Sequence, residues 1–102
     1  MEKVLTQKQI LATLKEQKSL LNEKFYVKSI GLFGSFARNE ATEASDIDFV
    51  VEFDAPLPIY IRNKYSLHDY LKGLFGRNID LANPKSLKPI YKNEILNQVL
   101  YA

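Results

Sequence analysis

Leu32-Phe33-Gly34-Ser35-Phe36-Ala37-Arg38, followed after a polar connection by Ser45-Asp46-Ile47-Asp48-Phe49-Val50-Val51, decides how this chain folds. The first stretch reads as a strand running into a Gly-Ser turn. The second reads as a strand that opens with two carboxylates one residue apart. Side chains on a strand alternate between faces, so Asp46 and Asp48 share one face while Ile47, Phe49 and Val51 share the other. One face of that strand is therefore anionic and the other apolar.

Two carboxylates this close repel, and an isolated pair would hold a shared proton at neutral pH instead of two full charges. A divalent cation removes that conflict. Hard oxygen ligands suit Mg²⁺, which keeps some of its waters and is usually completed by substrate phosphates rather than by a full protein cage. Gly34-Ser35 supplies the other half of such a site. Glycine lets the backbone approach a ligand closely, and amides at the start of the short turn Phe36-Ala37-Arg38 can point at phosphate oxygens. The inferred ligand is a nucleoside triphosphate with magnesium.

Gly34-Ser35, the following Ala37-Arg38 and Ser45-Asp46-Ile47-Asp48, in that order and at that spacing, resemble the signature of the DNA-polymerase-β-type nucleotidyltransferase superfamily. In length and layout the chain resembles its minimal nucleotidyltransferase (MNT) branch, many of whose members are antitoxins paired with HEPN-domain toxins. The resemblance covers nearly the whole chain. One departure is Asn39, where the family usually has glycine after the arginine; asparagine tolerates positive φ better than most residues, so the turn is expected to persist.

At 102 residues the chain is read as one nucleotidyltransferase domain, 1–102, too short for a separate substrate domain. A formal net charge of +2 with scattered lysines gives no argument for direct nucleic-acid binding, and the absence of cysteine excludes disulfides and thiolate metal sites. Met1-Glu2-Lys3 leads into a polar segment without the apolar core of a signal peptide, and no apolar run approaches membrane-spanning length. No membrane association is expected, and the cytoplasm is the default location.

Thr6 with Gln9 forms a plausible capping box, and Ile10, Leu11, Leu14 and Leu21 recur at helical spacing, so a first helix is expected from Thr6 to Asn22. Val27–Phe33 and Ile47–Phe53 read as strands, rich in β-branched and aromatic residues. Glu40 and Glu43 between them read as solvated charges. After the break at Asp54-Ala55-Pro56-Leu57-Pro58, a helix from Ile59 to Phe75 is expected. Its stripe is read as Ile61, Tyr65, Leu71 and Phe75 with Leu67 and Leu74 beside them, ended by Gly76. His68 on or near that stripe reads as a packed helix residue before it reads as a catalyst. Asn78–Ala82 is a third strand. A last helix from Lys88 to Tyr101, opened by Pro89, offers Ile90, Ile95, Leu96 and Val99 for packing. Tyr60, Tyr65, Tyr70, Tyr91 and Tyr101 are open to roles in the core, at an interface or both.

The fold expected is α/β in the broad sense (α+β): a small mixed, twisted sheet with helices mainly on one face and the carboxylates on the open side. The resemblance implies the rest. Asp46 and Asp48 would hold two Mg²⁺ ions, and Gly34 and Ser35 would bind the β- and γ-phosphates of ATP. Arg38 would add charge at the phosphates or the acceptor. Asp80, by itself an ordinary surface aspartate, occupies the place of the family's third carboxylate and would ligate the metal nearest the acceptor and help remove the acceptor's proton. The implied activity is transfer of AMP from ATP to a tyrosine hydroxyl of a cognate HEPN toxin, as the antitoxin of a type VII toxin–antitoxin system. The alternatives are a non-catalytic antitoxin that neutralises its toxin by binding, and nucleotidyl transfer to a small molecule; a homo-oligomer or a hetero-oligomer with the toxin is compatible with the reading.

Overall fold

The computed structural model describes residues 5–102, and the side chains of Leu57, Pro58, Ser86 and Tyr91 fall outside the description. The readings of Met1-Glu2-Lys3 and of Tyr91 therefore concern features outside the described residues. In order come α1 (Gln7–Phe25), β1 (Val27–Phe33), the short α2 (Gly34–Ala37), β2 (Ile47–Phe53), α3 (Leu57–Phe75), β3 (Ile79–Ala82), a 3-10 turn (Pro84–Ser86), α4 (Pro89–Gln98) and β4 (Leu100–Tyr101).

The four strands form one mixed sheet in the order β3-β2-β1-β4. β1 runs antiparallel to β2, and β2 runs parallel to β3. Cross-strand partners share a face, which sorts the sequence into two layers. Leu32 pairs with Phe49, Ile30 with Val51 and Ile47 with Ile79, and all are buried. Against that face pack Ile10, Leu14, Leu21 and Phe25 of α1 and Leu67 and Leu71 of α3, giving one continuous core. Asp48 pairs with Asp80, and Gly31 with Val50, on the opposite face.

Local chemistry accounts for the helix ends. Thr6 and Gln9 form the expected reciprocal capping box. α1 runs to Phe25 rather than stopping at Asn22, because Phe25 completes the core stripe and Tyr26 (φ 58°) then takes the left-handed cap. Gly76 (φ 66°) ends α3 as expected. α3 begins at Leu57, two residues early, with a proline in its first turn, where a missing N–H costs little.

Several expectations need correction. The last helix does not continue to Tyr101: it ends at Gln98, and Val99 is extended (φ −69°, ψ 131°). Leu100 and Tyr101 then pair antiparallel with Leu32 and Gly31, and the Ala102 amide donates to Ile30 O at 3.1 Å. The outer edge of β1 offers hydrogen bonds that a further half-turn of helix could not match. The second correction concerns the stripe of α3. Leu67 and Leu71 are fully buried, whereas Ile61 is 50% and Tyr65 72% exposed. Ile90 of α4, expected to pack, is also exposed. The carboxylate face is covered in part as well: Val50 is buried, and a Cβ at Gly31 would collide with Val99 Cγ1 and lie 3.1 Å from Tyr101 Cδ1.

Candidate active site

The site begins where β1 ends. Gly34 has φ 73°, a conformation natural to glycine, and a Cβ there would collide with Asp48 Oδ2. The chain turns at once into α2, one helical turn that sets Ser35 beside the sheet edge and buries Phe36. Asn39 has φ 57°, so the departure from glycine is met by the left-handed conformation that asparagine accepts.

Asp48 lies on β2 as the register partner of Asp80 on β3, so two of the three expected carboxylates meet across neighbouring strands. Asp48 is half-buried; Asp46, one residue before β2, and Asp80 are exposed. Burial, then Asp80, then Asp46 push the Asp48 carboxyl from its ordinary 3.8 up to about 6, and Arg38 pulls against them. Asp46, Asp48, Asp80 and Arg38 therefore share one electrostatic neighbourhood. Among the described residues no three His, Cys, Asp or Glu side chains form a ready-made metal cage.

Arg38 follows α2 and is largely exposed. Its Nε donates to Glu40 Oε2 at 3.0 Å and its Nη1 to Gln98 Oε1 at 3.3 Å, so Glu40 is the partner of this arginine as well as a solvated charge. Glu43 is exposed. His68 donates from Nε2 to Ile79 O at 3.0 Å, which ties α3 to the start of β3, and it lines the same groove as Asp80. Tyr60 accepts a bond from Asn83 Nδ2, and Tyr70 donates to Gln17 Oε1 and packs on Phe25; Tyr65 and Tyr101 are exposed.

One contact at the site has no counterpart in the motif. Gln7 Nε2 donates to Phe36 O at 3.2 Å and Ala37 O at 2.8 Å, capping α2 from the first residue of α1. The carbonyls of Gly34, Ser35 and Phe36 accept from the amides of Arg38, Glu40 and Asn39, and Gln7 supplies a donor to Ala37 O and a second one to Phe36 O; nothing in the spacing names Gln7. Asp80 opens onto a groove of about 600 Å³ between α3 and β3, lined by Tyr60, Ile61, Lys64 and Tyr65 among others. Asp46 lies on a separate polar cleft of about 520 Å³ with Lys72 and Arg77.

The arrangement joins a close-approach glycine turn, a one-turn helix with its amide end toward the sheet, and carboxylates on adjacent strands. Chemically it can take a polyphosphate at the turn and an electrophilic phosphorus at the carboxylates. Comparison with known proteins gives the family. Residues 14–102 match the family model described as a nucleotidyltransferase domain. The chain is 45% identical over 89 residues, covering 86% of this chain and 89% of the relative, to the protein named "Putative protein adenylyltransferase MJ0128" of Methanocaldococcus jannaschii. It is 38% identical over 98 residues, 96% of this chain and 97% of the relative, to the protein adenylyltransferase MntA of Thermococcus cleftensis. Among solved structures, one described as a "putative minimal nucleotidyltransferase" superposes with a TM-score of 0.78 at 25% identity, over 97% of this chain and 98% of that one. A chain of a toxin–antitoxin crystal structure with AMP-PNP superposes with a TM-score of 0.64 at 21% identity, over 95% of this chain and 72% of that one, a likeness of fold. No described helix is long and apolar enough to cross a membrane. By the match of its sequence and by its fold the chain belongs to the nucleotidyltransferase domain family, in its minimal nucleotidyltransferase branch, and is a nucleotidyltransferase.

Proposed function

We propose that this protein, acting as one domain in the cytoplasm, transfers AMP from ATP to a tyrosine hydroxyl of a cognate HEPN-domain toxin and serves as the antitoxin of a type VII pair. The observation that carries the reading is the juxtaposition of Asp48, its register partner Asp80 and the Gly34 turn pressed against the Asp48 carboxylate. A site kept without chemistry has no physical reason to set a half-buried carboxylate against two like charges. The name of the Thermococcus relative and the toxin–antitoxin assembly of the same fold support the protein acceptor.

The residues fit magnesium by donor chemistry. All the candidate ligands are carboxylate oxygens, and Asp48 is held near a proton's affinity by its neighbours, a conflict that a dication relieves. Mg²⁺ characteristically takes one or two carboxylates and completes its shell with substrate phosphates, so a preformed cage is not required. Asp46, Asp48 and Asp80 are the residues that would hold the two ions. Bound there, they would neutralise the triphosphate and polarise the α-phosphorus.

The chain's own groups do the remaining work. The amides of the Gly34-Ser35 turn and the Ser35 hydroxyl hold the β- and γ-phosphates, and Arg38 adds a cation beside them. Asp80 accepts the proton of the tyrosine hydroxyl as its oxygen attacks the α-phosphorus. The new P–O bond forms as the bond to the β-phosphate oxygen breaks, and pyrophosphate leaves. Most of the rate comes from positioning and charge neutralisation. The bulk and charge of AMP on the toxin then obstruct RNA phosphates near its RNase centre.

The test follows label from [α-³²P]ATP with Mg²⁺ into the toxin partner or, lacking one, into a host extract. Wild type is run beside Asp46→Asn/Asp48→Asn. Label on a protein band with wild type alone is the expected result. A folded wild type that binds its toxin yet transfers no label refutes the enzymatic reading and leaves an antitoxin that acts by binding; label on a small molecule alone refutes the protein acceptor.

A further inference from the structure

Three separate segments carry the candidate site: the Gly34-Ser35 turn, the connection ending at Asp46, and β3 with Asp80. We propose that Arg77 is the positioning residue that holds these three segments at their working spacing, an inference that rests on the nucleotidyltransfer reading for its kinetic consequence but not for its structural one.

Arg77 stands just ahead of β3, three residues before Asp80. Its Nη1 donates to Thr42 O at 2.9 Å and to Ser45 O at 3.0 Å, the second being the carbonyl immediately before Asp46. Its guanidinium carbon lies 5.3 Å from the centroid of the Phe36 ring, one residue beyond Ser35. One side chain thus touches the residue after Ser35 and the residue before Asp46, and it stands on the approach to Asp80. Next to it, Asn78 O accepts from the Ile47 amide at 3.0 Å, which sets the start of β2 against the approach to β3.

Arginine suits this task for a physical reason. Its planar fork keeps donors in the plane for carbonyls while the flat face remains free to lie on an aromatic ring, and it stays charged at every working pH. Lysine offers a point charge without that plane. The loop it holds has weak support of its own: Thr42 and Ser45 bond mainly to each other, with Ser45 Oγ accepting from the Thr42 amide at 2.8 Å. Without Arg77 the loop loses its two tethers to the sheet, and Asp46 moves with Ser45. Displacement of about 1 Å at a site that works by positioning costs on the order of a hundredfold in turnover.

The decisive experiment compares wild type, Arg77→Ala and Arg77→Lys by amide hydrogen exchange and by calorimetric binding of AMP-PNP with Mg²⁺. In Arg77→Ala the Ser45 and Ile47 amides are expected to exchange about tenfold faster while Leu14 in the core is unchanged, the mark of local and not global opening. Affinity for AMP-PNP with Mg²⁺ falls about tenfold in parallel, because the two tethering hydrogen bonds are lost. Arg77→Lys falls between, and it carries the comparison if the alanine variant does not fold. Wild-type exchange at Ser45 and Ile47, or weakened binding that follows only the unfolded fraction, overturns the proposal. Wild type that binds no AMP-PNP overturns nucleotidyl transfer, whereas the exchange result still decides what Arg77 does.

Discussion

Asp48→Asn is expected to stabilise the metal-free protein at neutral pH while abolishing transfer. In the folded chain the Asp48 carboxyl is pushed from 3.8 to about 6 by burial, Asp80 and Asp46. A raised carboxyl pKa means the native state binds the proton more tightly than the unfolded state does. The unfolded chain therefore ionises first as pH climbs through 3.8, and stability falls until the folded group also ionises near 6; above that the deficit is constant. A shift of about two units converts to roughly 3 kcal/mol. Asp48 is only half-buried and its two charged neighbours are exposed, so screening reduces the usable figure to about 1 kcal/mol. Urea unfolding of wild type and Asp48→Asn in EDTA, at about pH 4 and about pH 7.5, measures it, because the difference between the two proteins cancels the titrating groups that do not interact with Asp48. The stability advantage of Asp48→Asn should be about 1 kcal/mol larger at the higher pH. Mg²⁺ with AMP-PNP at that pH should then stabilise wild type selectively. An advantage that does not change between the two pH values refutes the electrostatic account of the site.

The structure makes three further predictions. Gly34→Ala forces a β-carbon into a positive-φ position and onto Asp48, so it should cost about 2 kcal/mol in urea unfolding, a cost that shrinks in an Asp48→Ala background. Gly31→Ala meets Val99 Cγ1 and should cost about 1–3 kcal/mol, recovered in part by Val99→Ala; equal costs in both backgrounds would remove the C-terminal segment from the carboxylate face. Arg38→Ala breaks an exposed pair with Glu40 and an exposed hydrogen bond to Gln98 and should leave stability within about 0.5 kcal/mol of wild type, while the KM for ATP in the label-transfer assay rises several-fold.

Much of this was legible in the residues because the signals were local. Alternation in Ile47–Phe53, the capping box at Thr6 and Gln9, Gly76 after α3 and the tolerance of Asn39 for positive φ each depend on a few neighbouring residues. The misreadings fall where a partner distant in sequence decides. Leu100 and Tyr101 carry no strand signal, since their pairing depends on a vacant edge of β1 about seventy residues earlier. Ile61 and Tyr65 fit a helical period as well as Leu67 and Leu71 do, but α1 and the sheet reach only the latter pair.

That a later strand supplies a third carboxylate, Asp80, was implied by the family resemblance; the sequence by itself determined a glycine turn and a strand that presents acid on one side and apolar residues on the other. Those follow from backbone sterics and the two-residue period of a strand, which need no tertiary partner. Only the tertiary structure decided which carboxylates meet. The parallel register of β2 and β3 sets Asp80 beside Asp48. Packing half-buries Asp48 and so makes it the carboxylate whose charge is contested. Gln7, before the motif in sequence, and Arg77, after it, bond to the turn and to the loop, contacts that no motif could show. Desolvation and cross-strand repulsion depend on distance through space, and chain position alone does not encode that distance.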